Sequence, residues 1–276
     1  MEAGWGRRAR GRAVAVLGWE GWLKLASIAT AVGVLIGLWF TAGSFEATSR
    51  QIAIADRAEV TSRFAKAIEQ LGTESVDVRL GGIYTLEGIA RDSDAYRSTV
   101  FEVLGSFVRT HAPVAKECAL FPAADIQAAA TVIGRRTSDT LKIDLSGACL
   151  SGVDLRSANL RGAILNDVDL TSALLIGADL RDSRSANTNF RAARLGAADL
   201  TGAALSLVNF AEATFVGPDA TGDSVDAGWS YYLPVADNRF SAKLDRVVFR
   251  NCYYDETTQW PPGFVPPKKG SYTWRD

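Results

Sequence analysis

Residues 141–215 read LKIDLSGACLSGVDLRSANLRGAILNDVDLTSALLIGADLRDSRSANTNFRAARLGAADLTGAALSLVNFAEATF, and their spacing decides the fold. From Leu145 onward every fifth residue is large and apolar: Leu150, Leu155, Leu160, Leu165, Leu170, Leu175 and Leu180, then Phe190, Leu195, Leu200, Leu205, Phe210 and Phe215. Of fifteen such positions only Ser185 departs. Two residues before each centre stands a small or β-branched residue, from Ile143, Ala148 and Val153 to Val208 and Ala213. Between the two, Asp or Asn fills eight of fifteen places.

A period of five matches neither a strand nor an α-helix, so no regular element can place these leucines on one side. Each unit must turn the chain by a fixed angle. With a right-angle corner per unit, four units close a coil of twenty residues. Large centres and their small neighbours then both face the axis and fill it without voids. Coils stacked at the inter-strand spacing would give roughly 18 Å of solenoid from fifteen units.

These units resemble the pentapeptide-repeat family, written A-[DN]-L-x-x. The best copies are Ala158-Asn159-Leu160-Arg161-Gly162, Ala178-Asp179-Leu180-Arg181-Asp182 and Ala198-Asp199-Leu200-Thr201-Gly202. The resemblance implies a right-handed quadrilateral β-helix, and so a mostly β protein with an α N-terminal part. Further stretches, Arg63–Gly72 with Asp77–Tyr84 after it and the ending Tyr254–Phe264, look like those of membrane-associated bacterial members.

The period fails over residues 216–239, where Gly217-Pro218 appears and no fifth-position leucine does. It resumes one residue out of register, with Leu244, Phe249 and Tyr254 central and Ala242, Val247 and Cys252 small. This reads as a loop excursion inside a repeat region of 137–256, with residues 257–276 as a cap or tail. Trp260, Phe264 and four prolines suit that tail to cover the edge of the last coil. The excursion carries Trp229, Tyr231 and Tyr232, and aromatics of that density suit a partner-binding surface. The competing reading packs these rings back on the solenoid wall.

Upstream, residues 46–136 carry helical spacing. Val60, Phe64, Ile68 and Leu71 form one face before Gly72, read as a left-handed cap. Residues 78–92 form a second helix. Val100, Val103, Leu104, Phe107 and Val108 mark a third, stopped by His111-Ala112-Pro113, and residues 123–133 a fourth. A small bundle, or helical hairpins stacked as in HEAT repeats, follows. His111, at a helix end, is expected on the last carbonyls rather than on a metal.

Net charge is −1 over 276 residues, from 30 basic and 31 acidic side chains. The basic segment 1–24 sums to +3, residues 25–45 to zero, 46–136 to −1 and 137–276 to −3. The 21 uncharged residues from Leu25 to Phe45 would cover about 30 Å as a helix, with Trp19 and Trp22 at one end and Trp39 and Phe40 toward the other. A transmembrane helix over residues 25–45, a cleaved signal peptide ending at Gly43 and a buried core helix compete. The uncleaved anchor fits the flanks best. It implies a single-pass protein of the cell membrane with a cytoplasmic N-terminus and the bilayer as a partner. The side on which the body lies stays open.

Cys118, Cys149 and Cys252, odd in number and far apart, do not make a disulfide framework. No P-loop, G-x-G-x-x-G, H-E-x-x-H, C-x-x-C or G-x-S-x-G is present. The outward Asp and Asn residues are expected to bond turn backbone. The chain therefore reads as a noncatalytic scaffold for an unidentified protein partner. No cofactor, metal, nucleic acid or small-molecule substrate is expected. The alternative is a gyrase-interacting DNA mimic, which the interleaved cations oppose.

Overall fold

The computed structural model describes residues 19–115, 118–137, 141–216 and 242–266. Two compact units divide the chain, Met1–Ser62 and Arg63–Asp276. Helix α1, Trp19–Leu71, is one unbroken element of 53 residues. The segment expected as the first of four short helices is thus the end of a much longer one. Gly72 follows it without a positive φ, so the expected left-handed cap does not form.

In the first unit, Leu25, Ile28, Val34, Leu35 and Trp39 are exposed. Among the described residues, no helix is long and apolar enough to cross a membrane. This corrects the expected transmembrane helix over residues 25–45, the bilayer partner and the single-pass membrane location. Freedom from charge is not apolarity: Ser27, Thr30, Gly33, Gly37, Thr41, Gly43 and Ser44 make up a third of that stretch.

In the second unit the end of α1 meets α2 (Val76–Asp92) and α3 (Asp94–His111), and α4 (Ala124–Gly134) packs against α2 and α3. Ala67 and Leu71 are buried, and Phe64 meets the ring of Tyr96 at 5.3 Å. Ile68 lies at the edge of that face instead, 37% exposed. Ile83, Leu86 and Ile89 of α2, Val100, Leu104 and Val108 of α3, and Ile126 and Ile133 of α4 form the shared core. A buried ion pair fixes α4 to α2: Arg79 Nε donates to Asp125 Oδ2 at 2.7 Å, and Asp125 is 2% exposed. His111 Nδ1 lies 3.0 Å from the Phe107 carbonyl oxygen, and its ring stacks on Phe107.

From Ile143 the chain winds as a solenoid. Parallel bridges join Asp144 to Ile164, Cys149 to Asp169, Asp154 to Leu174 and Asn159 to Asp179, each twenty residues on. Four units therefore close one coil. Corners are made by residues with φ between about +50° and +75° two places after each centre, such as Gly152, Asp167 and Asn187. Where the corner relaxes on one wall, β1 (Arg184–Ala186), β2 (Ala204–Ser206) and β3 (Val248–Arg250) pair in parallel in that order.

All fourteen apolar centres from Leu145 to Phe215 face the axis, none more than 2% exposed. Ser185 is also buried, and its hydroxyl has no hydrogen-bond partner. Phe190, the next centre in that coil, supplies bulk beside it and stacks on Phe210 at 5.4 Å.

The excursion leaves after Val216 and re-enters at Ala242, whose N–H donates to Phe215 O at 2.8 Å. Lys243 then pairs with Asp199, Val248 with Ala204 and Tyr253 with Asn209, all displaced by 44 residues. The coils thus resume from Ala242 in continuous pairing with those before Val216. Gln259 pairs with Thr214, one residue further out of step, which places Trp260 on the last coil rather than in a separate tail. Trp260 stacks on Phe215 at 4.8 Å and meets Phe264 at 5.3 Å.

The first coil's outer edge would present unpaired N–H and C=O groups, as any edge strand does. The helical region closes it on all four walls. Arg109 Nη1 donates to Asp144 O. Cys149 N donates to Ala112 O, and Val114 N to Gly147 O, both at 2.7 Å. Gln127 binds Asp154 through its amide. Asn159 N donates to Gly134 O at 2.8 Å, and Arg136, 4% exposed, donates to the carbonyls of Leu141, Asn159 and Arg161.

Candidate interaction surface

With its axis filled by apolar side chains, the described part of the solenoid offers its walls to a partner. The candidate residues Trp229, Tyr231 and Tyr232 lie outside the described residues. The repeat centres are buried and serve packing alone.

The walls are built from the residue before each centre and the two after it. Here short polar side chains bond the corners. Asp144 Oδ1 accepts from Ser146 N and Oγ, Asp169 Oδ1 from Thr171 N at 2.9 Å, and Asp199 Oδ1 from Thr201 N at 3.0 Å. Asn189 and Asn209 accept in the same way from Arg191 N and Ala211 N. These bonds favour the ionised carboxylate. Burial alone would raise the Asp144, Asp179, Asp199 and Asp255 carboxyls. Bonds from Ser146, Arg181, Thr201 and Thr257, with nearby cations at the first three, hold them below the ordinary carboxylate value. For Asp154 the bond from Arg156 is the leading cause.

Cations stand among these acids. Arg156 pairs with Asp154 at 2.5 Å, Arg161 with Asp182 at 3.3 Å and Arg191 with Glu212 at 2.7 Å. Arg181 pairs with Asp179, and Lys243 meets Asp199 at 3.5 Å. Charge of one sign does not run unbroken along the walls. Among the described residues no group of three or more His, Cys, Asp or Glu is placed to hold a metal ion.

The cysteines differ from expectation. Cys118 and Cys149 form a disulfide with Cα atoms 5.8 Å apart, bridging 31 residues of sequence. Spacing alone gave no hint, because the segment after α3 folds back onto the first coil. Cys252 is free and buried, and burial pushes its thiol above the ordinary value.

A family model described as Pentapeptide repeats matches residues 148–184 and 188–222, in 8 copies. Among solved structures the chain is similar to Rfr23, a pentapeptide repeat protein from the cyanobacterium Cyanothece 51142. Identity is 26%, covering 44% of this chain and 63% of that one, with a TM-score of 0.20. It is also similar to alr5209, a pentapeptide repeat protein from Nostoc Pcc 7120, at 20% identity over 53% and 92% of the two chains, TM-score 0.28. QnrB1, a plasmid-mediated fluoroquinolone resistance protein, matches at 24% identity over 30% and 51%, TM-score 0.22. The chain thus spans 63% of the length of the first of these. No protein of curated function matches it.

Proposed function

The repeat region of this chain belongs to the pentapeptide-repeat family, and from that premise we propose that the protein is a noncatalytic scaffold whose solenoid walls bind a protein partner. The observation that carries this reading is the mixed-sign character of the walls. Arg156, Arg161, Arg181, Arg191 and Lys243 each stand beside a carboxylate. Interspersed charge on a preorganised surface gives register and specificity to a protein interface without favouring polyanions or polycations. A packed apolar axis and a closed first coil keep that surface rigid, which lowers the ordering cost of binding.

The gyrase-interacting DNA-mimic alternative requires a continuous acidic stripe with the spacing of phosphates. The paired cations interrupt any such stripe. A gyrase supercoiling assay with the purified protein separates the two readings. The scaffold reading expects unchanged supercoiling at a several-fold molar excess over gyrase, and inhibition at stoichiometric ratio would overturn it in favour of the mimic.

A further inference from the structure

We propose that Cys118–Cys149 is a thiol–disulfide exchange site, opened by dithiol reductants, that fastens the segment between α3 and α4 onto the first coil. Three observations converge on it. The near end of the segment is held by Val114 N to Gly147 O and by Cys149 N to Ala112 O. Beyond the disulfide, the backbone lies so close to the coil that a Cβ on Gly152 would stand 2.3 Å from Leu120 O. Yet little apolar burial holds it there, because Val114, Leu120 and Phe121 are 43%, 75% and 77% exposed. The covalent bond is the principal tie of residues 118–121. Both sulfurs belong to half-buried residues, so a reductant has access to them.

The exchange balances with a dithiol as co-reactant. Its thiolate attacks one sulfur of the pair, breaking the Cys118–Cys149 bond and forming a mixed disulfide. Its second thiol displaces that sulfur. Two electrons and two protons pass to the protein, leaving two Cys thiols and one oxidised dithiol. Residues 118–121 are then free to lift from Gly152, while α4, held by Arg79, Gln127 and Arg136, stays docked.

The test uses the full chain purified without reductant, with dithiothreitol as the probe, read by alkylation mass spectrometry and amide exchange. Before reduction the folded protein is expected to resist alkylation at Cys118 and Cys149, and after reduction both are modified. Amide exchange of residues 118–121 is expected to rise at least tenfold, with the 160–215 coils unchanged. The midpoint of thermal unfolding falls by roughly 5–10 °C. Cys118→Ser abolishes the response to dithiothreitol. Alkylation of both cysteines in the unreduced protein would overturn the proposal. So would reduction that leaves exchange at 118–121 and the unfolding midpoint unchanged.

Discussion

Gln127 and Asp154 exchange two hydrogen bonds of 2.9 Å: Gln127 Nε2 donates to Asp154 O, and Asp154 N donates to Gln127 Oε1. A side-chain amide has the donor and acceptor of a peptide group, so Gln127 replaces the missing rung of a neighbouring coil. Gln127→Ala leaves both backbone groups unpaired at a part-buried site. The expected loss is about 1–3 kcal/mol in chemical denaturation. Gln127→Glu, which keeps the shape but turns the donor into an acceptor facing a carbonyl, should cost at least as much.

Arg79 is the cation paired with Asp125, a carboxylate almost wholly inside at 2% exposed that also accepts from Ile126 N. Removing the cation strands that charge. Arg79→Ala is expected to destabilise by about 3–5 kcal/mol, and adding Asp125→Ala should recover part of the loss. An unfolding curve for the double variant no better than for the single one would contradict this.

Helix α4 meets the first coil at Gly134, where an added Cβ would stand 2.7 Å from Ala158 Cβ. Gly134→Ala should cost about 1–3 kcal/mol through overpacking. If close approach is the cause, Ala158→Gly in the same chain restores stability, and a double-mutant cycle reads the coupling directly.

Ser185 is the one polar centre of the axis, buried with an unpaired hydroxyl. Ser185→Ala removes an unsatisfied group and is expected to raise stability by about 1 kcal/mol. A lower unfolding midpoint would mean the hydroxyl has a role the packing does not show.

Acid should weaken the solenoid. Asp144, Asp154, Asp179, Asp199 and Asp255 are held below the ordinary carboxylate value in the folded chain. Their contribution is therefore present above the unfolded value, about 4, and is lost as pH falls through the lowered folded values. Thermal unfolding followed from pH 7 to pH 3 should show the midpoint dropping below pH 4. Asp144→Asn combined with Asp255→Asn should flatten that drop.

The solenoid was legible because a period of five excludes both regular elements, and the return of the pattern at Leu244 located the insertion. The closed first coil was not. Gln127, Arg136 and Arg109 reach backbone 23 to 35 residues away, and no local pattern marks such bonds. The one available signal was Gln127 itself, an amide within the otherwise small and apolar run Ala128–Ile133 and Ile126. The Cys118–Cys149 pair was hidden for the same reason, since pairing depends on how the segment after α3 folds back. The uncharged stretch 25–45 was misread because freedom from charge was taken for apolarity, although seven of its 21 residues are Ser, Thr or Gly. Within the helical region the amphipathic faces were readable, but the joining of the first of them to a 53-residue helix was not, since no proline or cap interrupts it.

The central claim is that the walls bind a protein partner, and proximity labelling in cells tests it most directly. The labelling enzyme is fused at either terminus, and the wild type is compared with an Arg184→Glu, Arg194→Glu variant of matched unfolding midpoint. Both arginines project from the walls, one residue before Ser185 and Leu195. The account predicts a discrete set of proteins labelled by the wild type and reduced at least fivefold in the variant. An identical labelled set for both chains would contradict it.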